Sequence, residues 1–144
     1  MKPYLLDVNV LIALVWPSHV HHRLAQTWFA ERRSVGFCTC PLTEIGFLRI
    51  FSNPKFTRKA VLPAEALALL QRIKAMAEHE FWTDDLPVTV ALGGGESIVG
   101  HRQITDAYLL ALARSRGGLL ATFDRGALSL VRRDEGLVEL VGSL

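Results

Sequence analysis

The sequence predicts a three-layer α/β/α fold, in which a central, mainly parallel sheet of four to five strands lies between helices on both faces. Two observations lead to this fold class. Segments typical of strands alternate with segments typical of helices along the whole chain. The first strand segment, Tyr4-Leu5-Leu6, is a short apolar run, as expected for a parallel strand that is buried on both faces. The length of 144 residues is that of one domain, which we predict to span residues 1–144.

Five segments are predicted to form strands. The first is a short apolar run that ends at Asp7, and the second is rich in residues that favour strands. Two glycines precede the fourth, and glycine is typical of the end of the helix before it. The predicted strands span residues 4–6, 35–39, 80–83, 119–122 and 138–141.

The segments between these strands have helical spacing. Pro17 ends a short apolar helix, while Pro41 and Pro63 each stand at the first position of a helix, where proline is favoured. We expect Thr105 to cap the last helix, because its side chain can accept a hydrogen bond from the first helical turn. The predicted helices span residues 10–15, 21–33, 41–51, 63–77 and 106–116.

Composition limits the classes of function. Apolar residues make up 50% of the chain and the mean hydropathy is +0.26, which excludes a disordered protein. Sixteen basic and 14 acidic residues give a net charge of +2, so any nucleic acid must be bound through local patches. The apolar excess suggests a surface that another protein covers. Candidates for that surface are Leu11, Leu14, Trp16, Leu48 and Phe51.

The cysteines and the N-terminus indicate the compartment. Cys38 and Cys40 fall on one face of a predicted strand, and we interpret them as small buried hydrophobes in a reducing compartment. Asp7 interrupts the N-terminal apolar stretch, which argues against a signal peptide. Since no apolar run approaches the ~20 residues of a membrane span, we expect a cytoplasmic protein without membrane contact.

Four carboxylates stand at the boundaries of predicted elements. Asp7 ends the first strand, Asp124 follows the fourth, and Glu44 and Asp106 lie in the first turns of helices. The carboxyl ends of parallel strands share one edge of a sheet, where ligands bind, so we expect these side chains to converge. Each one alone could be an ordinary helix cap or turn residue. The four together favour a functional site.

Converging carboxylates imply a cation. Their charges repel one another and raise their pKa values unless a positive ion neutralises them. Mg²⁺ and Mn²⁺ prefer oxygen ligands of this kind. An ion held in this way can activate water and neutralise charge on a phosphoryl group.

Four segments in order resemble the motifs of PIN-domain ribonucleases, and more narrowly those of the VapC toxins of bacterial and archaeal toxin–antitoxin operons. The segments are Leu-Leu-Asp-Val-Asn-Val-Leu at 5–11, Thr-Glu at 43–44, Thr-Asp-Ala-Tyr at 105–108 and Ala-Thr-Phe-Asp at 121–124. The resemblance extends from Tyr4 to about Leu130. It implies a PIN fold and a Mg²⁺- or Mn²⁺-dependent endoribonuclease that leaves a 5′-phosphate and a 3′-hydroxyl. It also implies a homodimer and a cognate antitoxin of the VapB type.

The resemblance also implies roles for residues of this chain. Its acidic site would consist of Asp7, Glu44, Asp106 and Asp124, with Asn9 and Thr122 beside it. We expect Asp7 and Asp106 to bind the metal directly, and Glu44 to bind it or to orient the attacking water. Asp124 would hold a second ion or its water. The two neutral side chains would hydrogen-bond with the carboxylates or with the scissile phosphate, as groups around a metal ligand do.

Basic side chains close to these motifs are candidate RNA contacts. The segment 49–59 combines basic residues with Phe51 and Phe56, so it could bind the backbone and stack on bases. A solvated loop explains the same segment equally well. Arg102 lies just before the Asp106 helix. The candidate RNA-binding residues are Arg49, Lys55, Arg58, Lys59 and Arg102.

Two other functions stay open at this point: a PIN nuclease of RNA maturation without an antitoxin, and a catalytically silent module that only binds another protein. Carboxylate-dependent Mn²⁺ binding would argue against the silent module. A short open reading frame directly upstream would favour the toxin. A phosphotransferase of the dehalogenase type is disfavoured because it needs a second aspartate where this chain has Asn9.

Overall fold

A computed structural model describes residues 1–56, 61–93 and 98–142, and it contains a five-stranded parallel sheet. The strands lie in the order β3-β2-β1-β4-β5, and every neighbouring pair is parallel. Their bounds are β1 Tyr4–Leu6, β2 Phe37–Thr39, β3 His79–Phe81, β4 Leu119–Thr122 and β5 Val138–Leu140. The predicted α/β fold with a central parallel sheet is confirmed.

Helices connect the strands and cover both faces of the sheet. The α-helices are α1 Val8–Val15, α2 His22–Arg32, α3 Pro41–Phe51, α4 Pro63–Lys74, α5 Val88–Ala91 and α6 Ile104–Ser115. Short 3₁₀ helices span Arg33–Val35, His101–Gln103, Arg125–Leu130 and Arg133–Glu135. None of the helices within the described ranges is long and apolar enough to span a bilayer.

The sheet separates two apolar clusters. On one face, side chains of β1 and β2 such as Leu6 and Phe37 pack with residues of α1 to α4. On the other face, Leu5, Cys38 and Leu120 pack with Trp82 and with α6. Neighbouring residues of β1 thus contribute to opposite cores, which is why this central strand is apolar at every position.

The register of the sheet brings the ends of β1 and β4 side by side. Leu6 pairs with Ala121, so Asp7, the residue after β1, and Thr122, the last residue of β4, lie at the same edge of the sheet. Asp7 is also the N-cap of α1 and accepts a hydrogen bond from the backbone of Val8. The start of α1 is therefore fixed by the same carboxylate that ends β1.

Glycine at position 118 allows α6 and β4 to join close to the neighbouring strands. A Cβ atom there would lie 2.5 Å from Cη2 of Trp82 and 2.9 Å from the carbonyl oxygen of Pro3. Both neighbours belong to the packed interior or to the backbone, so only glycine fits without displacement. The predicted end of the helix at this point is confirmed, since α6 stops at Ser115.

The structure corrects several of the expected element bounds. Val35 belongs to a 3₁₀ helix and not to the second strand, and the third strand covers 79–81 in place of 80–83. Thr105 does not cap the last helix, because a preceding 3₁₀ turn leads directly into α6 and places Gln103 at the N-cap. Helix α5 had no counterpart in the prediction.

Two of the five residues expected on a protein-binding surface lie in the core. Leu11 is fully buried and Phe51 is 4% exposed, because both belong to helix faces that pack on the sheet. Leu14, Trp16 and Leu48 are only partly buried. Cys38 and Cys40 are free and buried, as expected, and burial raises the pKa of the Cys38 thiol to about 12.

Candidate active site

A cleft opens where β1 and β4 end, and it contains three of the four predicted carboxylates. Its volume is about 390 Å³. Asp7, Asp106 and Asp124 line it together with Asn9. The remaining wall is apolar, aromatic or basic and consists of Val8, Ile12, His19, Ile50, Phe56 and Arg102.

Asp7 is the most buried carboxylate of the cleft. It is 8% exposed, and its two oxygens accept different hydrogen bonds. The backbone amide of Val8 donates to Oδ1 at 2.8 Å, and the hydroxyl of Thr122 donates to Oδ2 at 2.7 Å. Burial raises the pKa of Asp7, and the charge of Asp124 raises it further, while these two hydrogen bonds lower it.

Thr122 connects the other polar residues of the cleft. Its single hydroxyl hydrogen points to Asp7, and its lone pairs accept from Asn9 Nδ2 at 3.2 Å and from the Asp124 backbone amide at 3.0 Å. The side-chain oxygen of Asn9 accepts in turn from the backbone amide of Phe123 at 3.3 Å. The hydroxyl is fully satisfied, so Thr122 holds Asp7, Asn9 and Asp124 in fixed relative positions.

Asp106 reaches the cleft from the first turn of α6. Burial raises its pKa to about 7, and the charge of Asp7 and a hydrogen bond with Asp124 act in the same direction. The charges that act on this carboxylate are those of Asp7 and Asp124, and both are negative. The three aspartates are therefore an electrostatically unfavourable group that a positive ion would stabilise.

The donor set fits a hard divalent cation. Among residues 1–56, 61–93 and 98–142, no three acidic, histidine or cysteine side chains form a ready-made cage for an ion. Mg²⁺ requires no such cage, because it usually takes one or two carboxylates and retains several waters. Asp7 and Asp106, which approach each other closely enough for their charges to interact, provide such a pair.

Glu44 occupies the same edge of the sheet but is engaged elsewhere. It does not line the cleft. Its carboxylate accepts from the Thr39 hydroxyl at 2.8 Å and lies 3.0 Å from Lys74 Nζ. Nε2 of His79 also contacts Thr39 Oγ1, at 2.7 Å. Since the only hydroxyl hydrogen of Thr39 goes to Glu44, His79 must be the donor in that contact.

The candidate RNA-binding residues differ in how close they lie to the cleft. Arg102 lines the cleft. Lys55 is exposed next to Phe56 of the cleft wall, and Arg49 is exposed beside Ile50 on α3. Arg58 and Lys59 lie outside the described residues. In the part of the chain that is described, none of the ion pairs involves Arg102 or Lys55, so both charges are available.

Sequence reasoning did not identify all residues around the site. Lys74 and His79, which surround Glu44, come from the end of α4 and from β3, and no local pattern marks them. His19, from the segment between α1 and α2, also lines the cleft. Only the fold brings these residues close to the carboxylates.

Comparison with known proteins agrees with this architecture. A family model described as "PIN domain" matches residues 4–133, which is most of the chain. That range includes all five residues whose side chains form the acidic network: Asp7, Asn9, Asp106, Thr122 and Asp124. The chain belongs to the PIN domain family.

Curated relatives narrow the comparison to one group within that family. The chain is 46% identical to Ribonuclease VapC39 of Mycobacterium tuberculosis over 138 residues, which cover 95% of this chain and 98% of the relative. Ribonuclease VapC38 of the same organism is also 46% identical, with 95% and 96% covered. Ribonuclease VapC29 is 43% identical over 126 residues, with 88% and 89% covered. The expected resemblance to VapC ribonucleases is confirmed.

Proposed function

We propose that this chain is a divalent-metal-dependent endoribonuclease that acts as the toxin of a toxin–antitoxin pair. The observation that carries the proposal is the group of Asp7, Asp106 and Asp124 in one cleft, with the pKa of Asp106 raised to about 7. Like charges are assembled in this way at active sites that bind a cation. The similarity to proteins named ribonucleases supports RNA as the substrate.

Each polar residue of the cleft has a defined part in this proposal. Asp7 and Asp106 would hold Mg²⁺ or Mn²⁺, which when bound supplies activation of water and neutralises charge on the phosphoryl group. Thr122 fixes the orientation of Asp7 through the 2.7 Å hydrogen bond, and Asn9 supports Thr122. Asp124, exposed at the mouth of the cleft, would hold a second ion or its water.

Glu44 is kept as a member of the proposed site with an indirect role. Its carboxylate is held by Thr39 and Lys74 and does not line the cleft, so we propose that Glu44 acts on the attacking water and does not bind the ion directly. We expect its replacement to reduce the rate less than replacement of Asp7 or Asp106. Within the described part of the chain, neither of these two aspartates is paired with a basic side chain.

Cleavage of total RNA by the purified protein tests the proposal. We expect new 5′-phosphate ends when Mn²⁺ or Mg²⁺ is present and none with a chelator. Asp7→Asn and Asp106→Asn should each lower the rate by roughly 100-fold or more, because each removes a charged ligand from the ion. Asp134→Asn is the matched control, since that carboxylate is exposed and pairs with Arg132 away from the cleft. Full activity of Asp7→Asn would contradict the proposal.

The proposed partners follow from family membership. We propose that a VapB-type antitoxin inhibits the protein in the cytoplasm and that two copies of the single domain, residues 1–144, form a homodimer. Exposed apolar side chains on α5 and at the start of α6, namely Val88, Val90 and Ile104, could be buried in such contacts. Light scattering at micromolar concentration measures the assembly, and a mass of 16.0 kDa would contradict the homodimer.

A further inference from the structure

Five aromatic rings form a continuous row beside the acidic cleft. In spatial order they are Phe56, Trp16, His19, His21 and Phe123, and we call this set the aromatic row. Successive ring centroids are 5.6, 5.6, 5.7 and 5.0 Å apart. Separations in this range are those of interacting aromatic pairs. The rings come from the segment between α1 and α2, from the segment after α3 and from the residue before Asp124.

The row is part of the same cleft as the carboxylates. Phe56 and His19 line the cleft together with Asp7, Asp106 and Asp124. Phe123, at the other end of the row, is anchored because its backbone amide donates to Asn9 Oδ1 at 3.3 Å. A molecule whose phosphate lies at the aspartates would therefore meet aromatic rings along the adjoining wall.

Local hydrogen bonds give the row a fixed shape. The amide of His19 donates to the carbonyl oxygen of Trp16 at 3.0 Å, and the amide of His21 donates to Nδ1 of His19 at 3.0 Å. Nδ1 of His22 lies 2.7 Å from the carbonyl oxygen of Ala13, which ties the segment to α1. Rings held in this way lose little conformational freedom when a ligand binds.

The row also retains exposed surface. Phe56 is 43% exposed, and His21 is exposed although it stacks on Phe123. Burial lowers the pKa of His19, and the neighbouring histidines lower it further, so this ring is neutral at physiological pH. Partly exposed aromatic rings beside the acidic cleft are suited to stack on nucleobases.

We propose that the aromatic row is a base-stacking platform that positions the nucleotides next to the scissile phosphate. This inference rests on the proposed ribonuclease function. Bases within an A-form duplex are stacked on one another, and only unpaired bases can be turned out onto protein rings. The basic side chains of Arg102 and Lys55 lie at the same cleft and beside Phe56, where they would contact the flanking phosphates.

RNA binding without cleavage tests the platform directly. The full-length protein is titrated, with chelator and no added divalent cation, against a short single-stranded RNA that carries 2-aminopurine. The same backbone without bases and a fully paired duplex serve as comparison probes. We expect quenching of the 2-aminopurine fluorescence and affinity about 5- to 100-fold higher for the single strand than for the abasic backbone, since each stacked base contributes on that scale.

Variants then separate stacking from other roles of the row. Phe56→Ala should reduce affinity for the single strand by about 5-fold or more and leave the abasic backbone unaffected, while Phe56→Tyr restores binding. Phe81→Ala is the matched control, because Phe81 is 44% exposed on β3 and does not line the cleft. His21→Ala, a second exposed position, should act in the same direction. Unfolding temperatures confirm that each variant is folded.

The outcomes distinguish this inference from the proposed function. Equal affinity for the single strand, the abasic backbone and the duplex overturns the platform, as does a Phe56→Ala protein that binds all three as the wild type does. In that case Mn²⁺-dependent cleavage would still support the ribonuclease. Conversely, base-dependent binding that is lost in Phe56→Ala, together with RNA that stays intact in Mn²⁺, would support the platform and contradict the nuclease.

Discussion

At the scale of single residues, the site combines two opposing requirements. The proposed cation site requires Asp7 and Asp106 to lie close together, although burial and like charge raise the pKa of both carboxyl groups. Thr122 resolves part of this conflict by donating its hydrogen to Asp7. Asp106 is a half-buried carboxyl with like charges facing it, and the rest of the fold must therefore compensate for its unfavourable electrostatics.

Asp106→Asn should therefore stabilise the metal-free protein. The pKa of Asp106 is about 7 when folded and 3.8 in its ordinary state, so between these values the folded protein binds more protons than the unfolded chain. Stability consequently falls as the pH rises from about 4 to 7, and the loss persists at higher pH. We expect the free energy of unfolding of the variant to lack this part of the pH-dependent decrease. At pH 7.5 it should exceed that of the wild type by about 1–2 kcal/mol, which is less than the full pKa difference implies because solvent screens the half-buried charge.

Urea unfolding between pH 4 and pH 8, with chelator present, measures this difference. Asp134→Asn again provides the control, because its carboxylate is exposed and ion-paired with Arg132, and its removal should bring no gain. Added Mg²⁺ should narrow the gap by stabilising the wild type more than the variant, since only the wild type has the full ligand set. A variant that is less stable than the wild type at pH 7.5 without metal would show that the aspartates do not repel one another.

At the scale of elements, the sequence predicts correctly the bounds of two segments that begin near a proline or a glycine. Helix α3 begins at Pro41 and β4 spans Leu119–Thr122, as predicted, because proline marks the start of the helix and two glycines precede the strand. The start of α1 is not visible in its pattern of apolar residues. Asp7 caps that helix directly, so the helix begins at Val8, two residues before the apolar run by which it was recognised.

Elements that depend on distant contacts were missed or displaced. Helix α5 has only four residues, and no residue of its sequence distinguishes it from a loop. Strand β3 is partly exposed, and its register is set by pairing with β2, where Thr39 lies opposite Phe81. Local sequence does not encode such pairing, and the bounds of this edge strand were therefore wrong by one residue at the start and two at the end.

The same reasoning explains what was predictable about the site. Asp7, Asp106 and Asp124 follow strands or begin helices at one edge of a parallel sheet, and topology alone brings such positions together. Glu44 satisfies the same rule, yet its side chain bonds with Thr39 and Lys74. The partners of the Glu44 carboxylate depend on where α4 and β3 lie. The positions of these two elements are determined by contacts between residues far apart in the chain.

At the scale of the whole molecule, the near-balanced charge determines how RNA can be held. The net charge is only +2, and three acidic residues line the cleft itself. Long-range attraction of a polyanion is consequently weak, and binding must depend on a small number of local phosphate contacts together with stacking. The slope of log K against log salt concentration gives the number of those phosphate contacts.

We expect a shallow salt dependence of RNA binding. Each phosphate contact to a single strand contributes about −0.7 to the slope of log K against log salt concentration. With two contacts, from Lys55 and Arg102, the slope is about −1.4, and it reaches about −3.5 if all five candidate basic residues take part. Arg102→Gln and Lys55→Gln should each reduce the magnitude of the slope by about 0.7 and weaken binding to all sequences alike.

Fluorescence titration of a labelled single-stranded RNA in increasing KCl, without divalent cations, gives these slopes. Lys2→Gln changes the net charge by the same amount, but Lys2 precedes β1 and therefore lies at the sheet edge opposite the cleft. The salt-dependence slope of the Lys2→Gln variant should equal that of the wild type. If Lys2→Gln reduces the slope as much as Arg102→Gln does, binding responds to total charge, and Arg102 and Lys55 have no special part in it. A reduction confined to Arg102→Gln and Lys55→Gln would establish that the RNA backbone follows the wall of the acidic cleft.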